Sequence, residues 1–145
     1  MTLSDEQCMQ EALREARMAA DEGEVPIGGV MTCGGRIIAR AHNYTERLND
    51  VTAHAEMQLI GMAADYLGGK YLGDCTLYVT VEPCPMCAAA LAWAQLGRLV
   101  YGAGDPRRGY TLFSPPLLHP RTEVTAGVLA DEATVLITEF FKKQR

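Results

Sequence analysis

The sequence predicts a three-layer α/β/α domain built on a mixed sheet, and three observations predict it. Apolar residues recur at helical spacing from Met9 to Ala20, two strand-like runs are joined by Gly34-Gly35, and the later strand-like runs alternate with helical ones. A tight hairpin requires antiparallel pairing, whereas strands separated by helices favour parallel crossovers. The sheet should therefore be antiparallel at one end and parallel at the other, with helices on both faces.

Each element has its own local signal. Ser4 and Gln7 stand at capping-box spacing, and Met9, Ala12, Leu13, Ala16 and Ala20 form one stripe, which places a first helix up to about Glu22. Residues 25–32 and 36–42 read as strands, with the two glycines between them supplying the positive φ angles of a tight turn. A polar loop over residues 43–50 precedes Thr52-Ala53-His54-Ala55-Glu56. From there a helical pattern runs to Leu67 and stops at Gly68-Gly69, with Thr52 as the expected N-cap. Residues 75–81 are β-rich and lead through Glu82-Pro83 into Cys84-Pro85-Met86-Cys87, where proline suits the first turn of a helix expected to end near Gly97. Residues 98–101 read as a strand, 102–120 as an irregular loop, 123–126 as a short strand and 129–143 as a final helix. So long a loop is uncommon in a compact domain and is a candidate pocket wall.

Composition bounds the function. The 145 residues, 48% hydrophobic and 21% charged, suit one domain over residues 1–145. No apolar run of membrane-spanning length and no signal-peptide pattern is present, so a cytoplasmic protein with no membrane partner is expected. Five cysteines without regular spacing do not form a secreted disulfide framework, whereas Cys84 and Cys87 have metal-ligand spacing. A net charge of -5 argues against indiscriminate polyanion binding and leaves room for a local basic patch.

The chemistry is concentrated in two short segments. Cys84 and Cys87 at a helix start can point both sulfurs at one spot, and the helix dipole favours their thiolates. His54 starts another helix and completes a His-Cys-Cys set suited to one Zn2+. Three protein ligands leave a fourth position for water, which zinc acidifies, and Glu56 stands two residues from His54, near enough to shuttle its proton. The other histidines, His42 and His119, read as structural or surface residues, and Cys8, Cys33 and Cys75 as buried thiols.

His54-Ala55-Glu56 with Pro83-Cys84-Pro85-Met86-Cys87 resembles the signature of the zinc nucleobase deaminases. Val25-Pro26-Ile27-Gly28, Asn43, Leu77-Tyr78-Val79-Thr80, Tyr101-Gly102-Ala103, Asp105 and Phe140-Phe141 extend the likeness, which is greatest to the bacterial tRNA adenosine deaminases. That resemblance implies a cytidine-deaminase-like fold with a five-stranded sheet, a homodimer whose neighbouring subunit helps to build each site, and conversion of the wobble adenosine of a tRNA anticodon loop to inosine. It further implies that Asn43 bonds the base or its sugar, that Ile27 and His54 sandwich the ring, and that the Ala55 N–H faces the base's polar edge. The Glu82 carbonyl would receive the departing amino group, Asp105 would contact a flanking ribose, and Phe140-Phe141 would help to shape the anticodon pocket. The chain departs from the pattern at Ala89, where the tRNA enzymes usually have glycine, and over Pro106 to Phe113, where they have a glycine-rich stretch. Deamination of a free base or nucleoside, guanine or cytosine, is the second reading, and a non-enzymatic zinc-stabilised module the third.

Overall fold

A computed structural model describes residues 2–144. The first helix, α1 (Asp5–Asp21), opens on the expected capping box: Ser4 accepts from the Gln7 N–H at 3.1 Å and the Gln7 side chain accepts from the Ser4 N–H at 2.8 Å. Strands β1 (Gly28–Cys33) and β2 (Arg36–His42) follow, turned by Gly34 and Gly35 at φ +62° and +77°. Next come α2 (Ala55–Leu67), β3 (Cys75–Val81), α3 (Pro85–Trp93), β4 (Arg98–Ala103), β5 (Glu123–Ala126) and α4 (Ala130–Lys143).

The sheet has five strands in the order β2-β1-β3-β4-β5. β1 pairs antiparallel with β2 and β3, while β3–β4 and β4–β5 are parallel, which is the mixed arrangement that the hairpin and the later crossovers require. Helices α1 and α4 cover one face, α2 and α3 the other. Side-chain alternation builds both cores from the same strands: Leu77, Val79, Leu99 and Tyr101 join the core beneath α2 and α3, whereas Tyr78 and Val100 join Met9 and Ala12 of α1. Gly28 lets α1 approach the sheet, since a Cβ there would collide with the backbone of Ala16 and Ala12.

Several boundaries differ from the sequence reading: β1 begins at Gly28 rather than at residue 25, and β4 runs on to Ala103 rather than stopping at residue 101. The N-cap of α2 is His54, not Thr52, whose N–H and hydroxyl instead donate to Asp50 Oδ1 in the preceding turn. α3 stops at Trp93 rather than near Gly97, because Gln95 takes a left-handed φ of 55°. The stretch after β4 is not wholly irregular: Tyr110–Leu112 forms a single 3₁₀ turn, Tyr110 is buried, and Leu117 and Leu118 pack on the larger core. No helix among the described residues is long and apolar enough to cross a membrane.

Candidate active site

The parallel strand β3 ends at Val81 and delivers Glu82, Pro83 and Cys84 to the start of α3, while the loop after β2 delivers His54 to the start of α2. Cys84 and His54 are the N-cap residues of their helices, and neither makes a side-chain capping bond. A serine or threonine there would turn its oxygen back onto the helix; an imidazole and a thiol project away and meet. His54 Nδ1 lies 3.6 Å from Cys84 Sγ and 3.4 Å from Cys87 Sγ, and the three ligand atoms lie within 4.8 Å of one another, close enough to hold one metal ion. Tetrahedral bonds of ordinary Zn–N and Zn–S length would set N and S about 3.6 Å apart, and both N–S separations fit that ion.

The electrostatics match a cation site. A hydrogen bond from the Cys87 thiol draws Cys84 down to about 4, while that same bond and burial push Cys87 far up. A dication bound by both sulfurs as thiolates has to displace the Cys87 proton. The Cys84 sulfur raises His54 above its ordinary value against the opposing effect of burial.

Glu56 occupies the first turn of α2, and burial lifts its carboxyl to about 7, with the Cys84 charge adding to the effect. Its Oε1 is the buried side-chain oxygen or nitrogen without a hydrogen-bond partner among the described residues. Leaving such an atom unsatisfied is costly, and such exceptions concentrate where a ligand or a reaction supplies the partner.

The remaining sequence-predicted residues fall into two groups. In one, the Asn43 N–H donates to the Ile27 carbonyl at 3.1 Å, which places Asn43 beside half-buried Ile27. The Ala55 N–H, which the resemblance implied would face the base's polar edge, has a partner within the protein. It donates to Asn43 Oδ1 at 2.9 Å, because a buried donor in the first turn of a helix needs an acceptor and His54 gives none. In the other, Asp105 is half-buried, and its Oδ1 accepts from the N–H groups of Arg107 and Arg108, both at 3.0 Å, capping the turn that presents those exposed arginines. The Glu82 carbonyl accepts no hydrogen bond among the described residues. Phe140 and Phe141 touch edge to face on α4, in the layer opposite α2 and α3.

Several supporting residues had no signal in the sequence. Glu24, 1% exposed, accepts from Thr45 Oγ1 and the N–H groups of Glu46 and Arg47, fixing the loop that leads to His54. Buried His42 has its two ring nitrogens against Glu15 and Glu22. Gln58 donates to the His42 carbonyl at 2.6 Å, tying the α2 start to the end of β2. The Glu82 side chain, as distinct from its carbonyl, is bound to the far loop.

Residues 3–145 match the family described as MafB19-like deaminase. The chain belongs to that family. Among its relatives, the tRNA-specific adenosine deaminase of Agrobacterium fabrum (strain C58) is 46% identical over 94% of this chain and 93% of its own length. That of Bacillus subtilis (strain 168) is 43% identical over 97% and 91%. A solved structure from studies of A-to-I editing by tRNA:A34 deaminases at the wobble position of transfer RNA superposes with a TM-score of 0.84 at 47% identity, covering 89% of this chain and 97% of that one.

Proposed function

We propose that this deaminase binds one zinc ion through His54, Cys84 and Cys87 and hydrolyses the wobble adenosine of a tRNA anticodon loop to inosine. The observation that carries the chemistry is the buried, unpartnered Oε1 of Glu56 beside a three-ligand cluster. The substrate reading rests on the relatives, which span nearly the whole chain and are tRNA-specific adenosine deaminases.

Bound zinc supplies a Lewis acid that lowers the pKa of water toward about 7. Glu56, itself held at about 7, is matched to accept that proton and return it. It protonates the ring nitrogen as water oxygen adds to C6, then passes a proton to the exocyclic nitrogen as the C–N bond breaks. Adenosine and water become inosine and ammonia. Ile27 and the His54 ring flank the base, Asn43 contacts the base or its sugar, and the free Glu82 carbonyl receives the departing amino group. Asp105 contacts a neighbouring ribose, and the Phe140-Phe141 end of α4 helps to bound the anticodon loop. An anticodon loop presents its base already partly unstacked, which lowers the cost of seating it in a closed pocket.

The chain acts as a single domain in the cytoplasm and as a homodimer. Dimerisation is supported by apolar side chains left in water on the α2 and α3 layer: Met62, Tyr66 and Trp93, the last 85% exposed. The test is turnover of an adenosine-containing anticodon stem-loop against guanine, cytosine, adenosine and cytidine in one buffer. Inosine in the stem-loop is expected. Efficient release of ammonia from guanine or cytosine, with the stem-loop unchanged, would refute the tRNA reading while leaving the zinc chemistry in place.

A further inference from the structure

Residue 82 carries a carboxylate only 6% exposed, and among the described residues no cation pairs with it. Its charge is met by the chain itself. Oε1 accepts the Asp105 N–H at 2.9 Å, and Oε2 accepts the Thr111 N–H at 3.0 Å and the Thr111 hydroxyl at 2.7 Å. Two backbone bonds run alongside: Glu82 N–H to the Ala103 carbonyl at 2.8 Å, and Tyr110 N–H to the Pro83 carbonyl at 3.0 Å. The segment from Gly104 to Thr111 is thereby fastened to the two residues that precede Cys84. Gly109 fits closely over the carboxylate, and a Cβ there would collide with Glu82 Oε2 and Cδ. Its φ of -64° is ordinary, so glycine is present for room, not for conformation.

We infer that the Glu82 carboxylate is a positioning residue that sets where Asp105, Arg107 and Arg108 stand relative to the metal cluster, and so how tightly the nucleotide beside the target base is held. The inference rests on the proposed tRNA reading for the identity of that nucleotide. Both carboxylate oxygens face donors only. A glutamine has to turn its NH₂ group toward one of them, setting N–H against N–H, and an aspartate is one methylene too short to span both. Because the anchored turn carries a carboxylate and two guanidinium groups, its natural partners are a ribose hydroxyl and a phosphate. Freed from the Glu82 carboxylate, the turn still exists, since Asp105 Oδ1 caps it from within, but it is tied to the segment before Cys84 only by the two backbone bonds at its ends.

The test compares wild type with Glu82→Gln, Thr111→Val and Thr111→Ser in the zinc-loaded protein, using the anticodon stem-loop. Glu82→Gln should raise KM roughly tenfold, the scale of one lost charge-assisted hydrogen bond, with kcat within about twofold and zinc content unchanged. Thr111→Val should raise KM in the same direction, and Thr111→Ser, which keeps the hydroxyl, should restore it. If Glu82→Gln does not fold, the threonine pair decides. A wild-type KM in Glu82→Gln, or a fall in kcat together with zinc loss at unchanged KM, would overturn the inference. If wild type leaves the stem-loop untouched and deaminates a free base, the tRNA reading fails by itself. A free base has no neighbouring nucleotide, so the positioning role is then read from tryptic cleavage after Arg107 and Arg108: faster cleavage in Glu82→Gln than in wild type sustains it, and equal cleavage overturns it.

Discussion

The proposed proton shuttle gives Glu56 opposite effects on catalysis and on stability, and Glu56→Gln separates them. A positioned proton shuttle contributes about 10²- to 10⁴-fold, which is about 3–5 kcal/mol of barrier. Glutamine keeps the shape but cannot accept and return a proton, so turnover should fall by that factor while zinc stays bound. Stability should move the other way. The folded carboxyl is held at about 7 against an ordinary 4.5. Below pH 4.5 it is protonated in both states and contributes nothing. Between 4.5 and 7 the folded protein keeps a proton that the unfolded chain has lost, so stability falls as pH rises, by about 3 kcal/mol once both states are ionised. Glutamine does not titrate and escapes this penalty. In chelated protein, where no cation favours the carboxylate, the stability gap between variant and wild type should widen by about 2 kcal/mol from pH 5.5 to pH 8.5, roughly 4–8 °C in melting temperature. The assay is turnover, zinc content and thermal unfolding at both pH values. Near wild-type turnover would refute the shuttle, zinc loss would make Glu56 a ligand, and a gap that narrows with pH would refute the buried, destabilised carboxylate.

The metal ligands give a second expectation: Cys84→Ala and Cys87→Ala should each lose most of their zinc by elemental analysis, and chelation of wild type should lower its melting temperature because metal-binding energy adds to folding energy. Gly28→Ala should destabilise by about 1–3 kcal/mol in chemical denaturation, since its Cβ would meet Ala12 O at 2.5 Å and Glu15 Cβ at 2.7 Å; unchanged stability would mean that α1 is not seated so closely on β1. If Arg107 and Arg108 each meet a phosphate, the logarithm of kcat/KM for the stem-loop should fall with the logarithm of salt at a slope of about -0.7 per contact, and replacing both with alanine should flatten the dependence.

How much of this was legible in the sequence follows from the range of the interactions. The capping box at Ser4 and Gln7 and the turn at Gly34-Gly35 are closed by residues no more than three apart, and both stand where the pattern put them. The alternation of Leu77, Tyr78 and Val79 across the sheet is equally local. Glu24 and Glu82 accept hydrogen bonds from residues more than twenty positions away, so nothing next to either announces its role. The site lies between these cases. The cluster of His54, Cys84 and Cys87, which could hold a metal ion, was readable because each of its residues stands at a helix start, and the one misplaced cap shows why. Thr52 has the hydroxyl that a capping rule seeks, but the cap position of α2 belongs to His54, as that of α3 belongs to Cys84. At both positions a residue that stabilises the helix through its own side chain is replaced by one that does not, and the two side chains left free are the ones that converge. The Ala55 N–H left without a cap from His54 is met by Asn43, so the loop after β2 repairs at long range what the metal ligand gives up locally. A helix start with a ligand where its cap should be is thus a local sign of a site, and the residue that repairs it, here Asn43, is found only in the fold.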